Sequence, residues 1–499
     1  MKTKLCLALF LIFSNPLLVF SQNKFTFNSS KTFQTIQGFG ASDAWSNDFL
    51  ILMDDSSRNL AADWLFSKKQ NSDGSFAGIG LSIWRYNLGA GSSEQGDSSY
   101  ISDPYRRTGS FLNADGTYNW NKQAGAQYMI QAARERGLEK LVMFSNSPPV
   151  SLTLNGKAFS GTCGESNLAP EKNRLFADYI VESVKYFEDR GIHFSYVSPV
   201  NEPEWGWCRR DDQEGCPYKN QQIADIARLI NNGLILNNLT TKIQVPESGL
   251  LVFANSGLRF KPGRQNEIKN FFRQGRKSYI ADEKQVARQI CAHGYFTEWP
   301  LWIMRSVRKK TARKTDKYDI EYWMSEYCIL HKTKEIDGGG RDLGMKTALY
   351  VSRVIHHDLV YGNASAWCWW LGISTADFKD GLVYINRNGT GLASSKTLWA
   401  LGNFSQFIHP GAVRIEVDGK HDKELFVSAY RNMGSEDIVI VVINMKSGKQ
   451  VIRPENLPNW KIAAWETSKD LNLAKLPGPS SRELLTVSPE SVTTFVLSK

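Results

Sequence analysis

The features this chain lacks narrow its class first. After residue 21 no apolar run is long enough to span a bilayer. Seven cysteines and seven histidines in 499 residues form no C-x-x-C pair and no H-E-x-x-H pattern, so no zinc site of the usual spacing is expected. His356-His357-Asp358 reads instead as the top of a helix. Gly38-Phe39-Gly40 has neither the third glycine nor the helical pattern of a dinucleotide-binding turn. Repeats, low-complexity tracts and long linkers are missing. The net charge is +10, two of it from Lys2 and Lys4. Arg305, Arg308, Lys309, Lys310, Arg313, Lys314 and Lys317 form one isolated cluster, which reads as a solvated face, so no nucleic-acid partner is expected.

What is present begins with a leader. Lys2 and Lys4, the apolar stretch Leu5 to Val19 and the small-residue end Val19-Phe20-Ser21 predict a signal peptide over 1–21, cleaved before Gln22. The protein is therefore expected to be exported and not membrane-spanning. Cys291, Cys328 and Cys368 lie in apolar runs and read as buried thiols. Cys208 and Cys216 share a polar loop that an oxidising compartment could bridge, with Cys163 as another partner.

Short apolar runs centred near Gly38, Ile83, Val142, Val197, Ile243, Cys291, Trp323 and Trp367 alternate with amphipathic stretches. Leu175 to Phe187 and Ala124 to Arg136 keep apolar residues on one helical face, and each stops at a glycine. Ile223, Ile226, Ala227 and Ile230 mark a third helix. Eight strands with helical crossovers predict a (β/α)8 TIM barrel, an α/β fold, over 36–402. From 403 to 499 the pattern turns to alternation, as in Leu425-Phe426-Val427-Ser428-Ala429-Tyr430 and Val492-Thr493-Thr494-Phe495-Val496-Leu497. That predicts a fused antiparallel β-sandwich, which residues 22–35 join through Phe25-Thr26-Phe27.

Two glutamates carry the chemistry. Glu202 follows the fourth apolar run in Val200-Asn201-Glu202-Pro203, and Glu326 ends the seventh in Trp323-Met324-Ser325-Glu326. Barrels of this type work at the carboxyl ends of their strands. The other groups predicted at that face are Asp43, Trp45, Arg85, Asn87, Asn146, Asn201, Glu204, Trp205, His293, Tyr295, Trp369 and Trp370. Polar groups and flat aromatic faces together suit a sugar, with its hydroxyls and its apolar C–H faces. Paired carboxylates suit glycoside hydrolysis, one protonating the leaving oxygen and the other attacking the anomeric carbon. Arg85 would hold the attacking carboxylate through a charge-assisted hydrogen bond. Trp45, Trp205 and Trp207 lie in loops and suit exposed stacking. Trp369 and Trp370 are successive in one strand, so only one can face the site. Glu204 is expected either on substrate or in loop hydrogen bonding.

Asn201-Glu202-Pro203 and Glu326 resemble the signature of the clan A retaining glycosidases. Ile36-Gln37-Gly38-Phe39-Gly40-Ala41-Ser42, Ser145-Asn146-Ser147-Pro148-Pro149, Phe404-Ser405-Gln406-Phe407-Ile408-His409-Pro410-Gly411 and Ser491-Val492-Thr493-Thr494-Phe495 narrow the resemblance to glycoside hydrolase family 30. It implies Glu202 as acid/base, Glu326 as nucleophile, Tyr295 in contact with that nucleophile, and no metal or organic cofactor. Glu204-Trp205-Gly206-Trp207 with Gln213-Glu214-Gly215-Cys216-Pro217 is most similar to endo-β-1,6-galactanases, which implies a β-1,6-galactan substrate. β-1,6-Glucan, a glucosyl or xylosyl conjugate, or binding of a polysaccharide without catalysis are the alternatives.

Overall fold

The computed structural model describes residues 22–256, 263–419, 422–478 and 483–499. The predicted leader, 1–21, lies outside them. The first strand, β1 (Gln22–Thr35), belongs to the second sheet described below. The next eight build the barrel: β2 (Gly38–Ser42), β3 (Ile83–Asn87), β4 (Lys140–Phe144), β5 (Tyr196–Ser198), β6 (Lys242–Ser248), β7 (Val286–His293), β8 (Glu321–Tyr327) and β9 (Ala364–Ser374). Neighbours run parallel in chain order, and β9 pairs with both β8 and β2, which closes the ring. Each centre predicted from the sequence falls in one of these strands. They are rich in apolar residues because both faces are buried: Ile83, Val142, Cys291, Trp323, Ala366 and Cys368 fill the barrel, while alternate residues meet the surrounding helices. The helices Ala124–Glu135, Asn173–Glu188 and Asn220–Leu236 are the three expected from periodicity.

Gly38-Phe39-Gly40 has a packing cause. A Cβ on Gly40 would lie 2.6 Å from the Ile83 carbonyl oxygen and 3.0 Å from Cys368 Sγ, so only glycine lets β2 sit this close to its neighbours. Two short strands, β10 (Gly381–Tyr384) and β11 (Ala393–Ser394), extend from the far part of β9.

The second sheet adds β12 (Val413–Gly419), β13 (Leu425–Arg431), β14 (Ile438–Asn444), β15 (Gln450–Glu455), β16 (Lys461–Thr467), β17 (Ala474–Lys475), β18 (Leu485–Val487) and β19 (Ser491–Ser498). Its order is β17-β16-β19-β14-β13-β12-β1-β15-β18, antiparallel apart from the β1–β15 pair. The sheet curls around its own core of Phe25, Phe27, Leu425, Val427, Ile440, Val442, Phe495 and Leu497. Its other face, with Phe426, Tyr430, Val439, Val441 and Ile443, joins the barrel core. This two-sided burial is why β14 is apolar at nearly every position. The hydrophobic contribution is about 1.5–3 kcal/mol for each large side chain so buried. Asn403 reinforces the seam, donating to the Trp465 carbonyl and to Thr494 Oγ1.

One pairing left open by the sequence is decided, and one local expectation changes. The disulfide joins Cys163 to Cys208, and Cys216 is a buried free thiol. Cys216 turns inward instead, accepting from the Asn167 amide at 3.3 Å. Within the basic cluster on the helix Leu301–Tyr318, Arg308 is buried and bonds Asp358 at 2.7 Å. Asp358 and its two histidine neighbours end the helix Met345–Tyr361.

Candidate active site

Glu202 stands just past β5, and Glu326 in β8, at the same mouth of the barrel. Glu202 takes a positive φ of 45°, a costly conformation for a side-chain-bearing residue and one found at functional positions. Its N–H donates to the Glu247 carbonyl at 2.8 Å, and the Trp207 indole donates to its own carbonyl at 2.8 Å. Glu326 lies where the β7–β8 and β8–β9 registers slip. That irregularity lets Ser325 and Glu326, adjacent in sequence, both reach groups at the barrel mouth. Arg85 Nη1 donates to Glu326 Oε2 at 3.1 Å, and the Tyr295 hydroxyl donates to Oε1 at 2.9 Å. An oxygen of Glu202 and one of Glu326 lie within 4.8 Å of each other.

His293, at the end of β7, joins the two. Its Nδ1 is 2.8 Å from Glu202 Oε1 and 3.5 Å from Glu326 Oε1. A third carboxylate, absent from the sequence expectation, completes the group. Glu247 of β6 is wholly buried, 3.3 Å from His293 Nε2 and 3.5 Å from Arg85 Nη2, and accepts a short hydrogen bond from Ser325. Burial opposes ionisation of Glu247, but Arg85, His293 and Ser325 outweigh it and draw its pKa down to about 2. Burial would strip the proton from His293, yet Glu326, Glu202 and Glu247 hold it up to about 10. Glu202 is raised to about 7 by burial, with the His293 hydrogen bond working against the shift. The site thus holds one carboxyl that keeps its proton toward neutral pH and another that faces a guanidinium and a phenol.

A cleft of about 890 Å³ opens over this pair. Of the predicted residues, Trp45, Asn146, Asn201, Glu202, Trp205, Tyr295, Glu326 and Trp370 line it. Trp45 meets Trp370 edge-on at 5.2 Å, and the Arg106 guanidinium lies 4.8 Å over the Trp45 ring. Arg85 and His293 lie behind the glutamates and act on them from beneath. Asp43 accepts from the Asn87 amide at 2.7 Å, and the Asn87 side chain donates to Thr108, so neither reaches the cleft. Glu204 is buried and accepts from Ser248 and the Gly249 amide, which is loop hydrogen bonding. Trp369 is buried with its indole on the Asp380 carbonyl, so Trp370 is the one of the pair that faces the site. Trp207, also expected to stack, lines the cleft while only 8% exposed, with its indole tied to the Glu202 carbonyl. The loop residues Asp103, Tyr105, Arg106, Arg210, Phe296 and Asp380 also line the cleft. Polar loops give no periodicity from which to place them.

Ligand atoms of Glu202, His293 and Glu326 converge within 4.8 Å, a separation that a metal ion can bridge. Their donor chemistry argues against that use. A metal ion there would have to displace a proton that three carboxylates hold on the ring.

The family model described as O-Glycosyl hydrolase family 30 matches residues 22–384. An endo-β-1,6-galactanase of Hypocrea rufa is 24% identical over 442 residues, covering 85% of this chain and 82% of that protein. The glucuronoxylanase XynC of Bacillus subtilis is 24% identical over 399 residues, covering 76% and 78%. Among solved structures, a conserved exported protein from Bacteroides fragilis superposes with a TM-score of 0.88 at 28% identity, covering 95% of this chain and all of that one.

Proposed function

The chain belongs to glycoside hydrolase family 30, and from that premise we propose that it is a retaining β-glycosidase, exported through its leader, that hydrolyses β-1,6-linked galactan. The observation that carries the mechanism is the separation of Glu202 and Glu326, within 4.8 Å between nearest oxygens. Retaining enzymes hold their carboxyls about 5 Å apart, whereas inverting ones leave room for a water, at about 6.5–9.5 Å. Glu202 protonates the glycosidic oxygen while Glu326 attacks the anomeric carbon. The bond to the leaving group breaks and a glycosyl ester forms on Glu326. Glu202, now ionised, takes a proton from water, which displaces the ester with the original configuration restored.

The cleft supports a sugar polymer as substrate. Trp45, Asn146 and Asn201 line it and bring polar groups beside the carboxyl pair. Trp205 and Trp370 offer the aromatic faces. The β-1,6-galactan assignment rests on the sequence of the Trp205 loop and on the galactanase relative. The exported Bacteroides fragilis neighbour supports the leader reading. Parallel digestion of β-1,6-galactan, β-1,6-glucan and glucuronoxylan, with product lengths and the anomeric configuration of the first product followed by NMR, tests the proposal. Short galactooligosaccharides released as β-anomers are expected. Release from glucan or xylan alone reassigns the sugar, and α-anomers overturn the mechanism.

A further inference from the structure

We propose that Glu247 is a positioning residue for the catalytic pair: clamped by Arg85 and Ser325, it holds the His293 ring doubly protonated so that Nδ1–H points at Glu202 through both steps of the reaction. This rests on the acid/base and nucleophile roles proposed above for Glu202 and Glu326.

The argument is one of donors and acceptors. An ionised carboxylate can only accept. His293 Nε2 has Glu247 Oε2 at 3.3 Å, and Nδ1 has Glu202 Oε1 at 2.8 Å with Glu326 Oε1 at 3.5 Å. A ring with a single proton on Nε2 leaves the Nδ1 lone pair facing carboxylate oxygens unless Glu202 donates to it. A second ring proton removes the conflict, and three surrounding carboxylates stabilise the charge. Facing the ring are Glu202 beyond β5, Glu247 of β6, Glu326 of β8 and Tyr295 after β7, with Arg85 of β3 beside Glu247 and Glu326. The Cys291 and Cys368 thiols also lie near Glu247, and burial keeps both protonated. Glu247 is suited to the task. It is buried, fixed at a positive φ of 57°, and too far behind the cleft wall to touch substrate. Its partners come from three strands, so its carboxylate has one orientation.

The consequence is a change of role for Glu202 between steps. Before attack, the charge on Glu326 favours protonated Glu202, the form an acid needs. Once Glu326 is an ester that charge is gone while the imidazolium remains, so Glu202 becomes easier to ionise, the form a base needs. Without Glu247, the ring loses its extra proton, Glu202 holds its own more tightly, and hydrolysis of the glycosyl-enzyme slows.

The test is ring-nitrogen NMR of the full chain at about pH 8, where an ordinary histidine is neutral, with the His293 signals assigned by their loss in His293→Asn. Wild type should show both His293 nitrogens protonated, and Glu247→Gln should show only one. With an activated aryl β-glycoside, Glu247→Gln should lower kcat at least tenfold and lower KM with it, because the ester accumulates. On a substrate whose leaving group needs a proton, the alkaline limb of kcat/KM should move up by about one pH unit. Glu247→Asp should restore the protonated ring in part. If Glu247→Gln does not fold, Ser325→Ala, which loosens the clamp and keeps the carboxylate, should shift the limb the same way by less. A singly protonated ring in wild type, or a ring unchanged in Glu247→Gln, overturns the proposal. The NMR arm needs no substrate. If wild type cleaves no glycoside, the functional reading fails while the hold of Glu247 on the ring is still decided.

Discussion

The Trp207 indole N–H donates to the backbone carbonyl of Glu202 at 2.8 Å, so a tryptophan in the cleft wall helps to fix the residue that carries the acid. The same carbonyl also accepts from the Trp205 N–H at 3.2 Å, so removing the indole donor costs the net worth of one hydrogen bond, about 0.5–1.5 kcal/mol, and lets a strained φ relax. Trp207→Phe keeps the ring and deletes the bond. We expect kcat to fall roughly tenfold, as about 1.4 kcal/mol on the barrier would give, with KM nearly unchanged. A rise in KM for polymer with kcat intact would return Trp207 to a stacking role.

The pH profile follows from Glu202. Its carboxyl is raised to about 7, burial being the main cause. A general acid works in its protonated form, so kcat/KM should hold below that pH and fall about tenfold per unit above it. Measured on an aryl glycoside whose leaving group needs no proton, the alkaline limb should flatten. A limb that stays equally steep would assign it to another group.

Glu326→Gly removes the attacking carboxylate and should abolish hydrolysis of polymer and aryl glycoside alike. Azide should restore turnover by attacking from the vacated side, giving a glycosyl azide of inverted configuration. Glu202→Gln should instead spare the first step on aryl glycosides with good leaving groups. If Glu326→Gly turns over normally without azide, the pair has been misassigned.

The barrel was legible because its strands are buried on both faces and read as unbroken apolar runs between amphipathic helices. Glu202 and Glu326 were legible because each stands at the end of such a run. Glu247 was not. Val245-Pro246-Glu247-Ser248 looks like a strand breaking into a turn, and nothing local announces that Arg85 and His293 will surround it. The β1–β15 pair was hidden for a related reason: β15 carries Pro454 next to the exposed Arg453, so its alternation is weak. Trp207 was legible as a cleft residue but not as the donor to the Glu202 carbonyl. Gly215 lets the chain close over its ring, and a Cβ there would come within 2.4 Å.

The Cys163–Cys208 disulfide joins the loop after β4 to the loop after β5, and both line the cleft. It spans 45 residues, so its loss should cost about 2–4 kcal/mol of stability. Cys163→Ser should lower Tm and raise KM for polymer several-fold as the Trp205 loop loosens, while kcat on a small aryl glycoside stays within about twofold. Equal KM values for polymer before and after reduction with dithiothreitol would confine the bridge to stability.

Gly249 separates these two kinds of effect most cleanly. A Cβ there would lie 2.5 Å from Trp205 Nε1 and 3.3 Å from Glu202 Cβ. The nearer atom belongs to a ring that lines the cleft and packs edge-on against Phe253 at 5.6 Å. The nearer contact is the far end of a side chain, whereas Glu202 is held by its backbone bonds to Glu247 and Trp207. Gly249→Ala should therefore displace Trp205 and leave the carboxyl pair in place. KM for polymer should rise about tenfold, kcat on an aryl glycoside should change less than threefold, and Tm should fall by only a few degrees. A collapse of kcat with polymer KM unchanged would mean that the strain passes to Glu202, and that Trp205 is rigid scaffold and not an adjustable sugar platform.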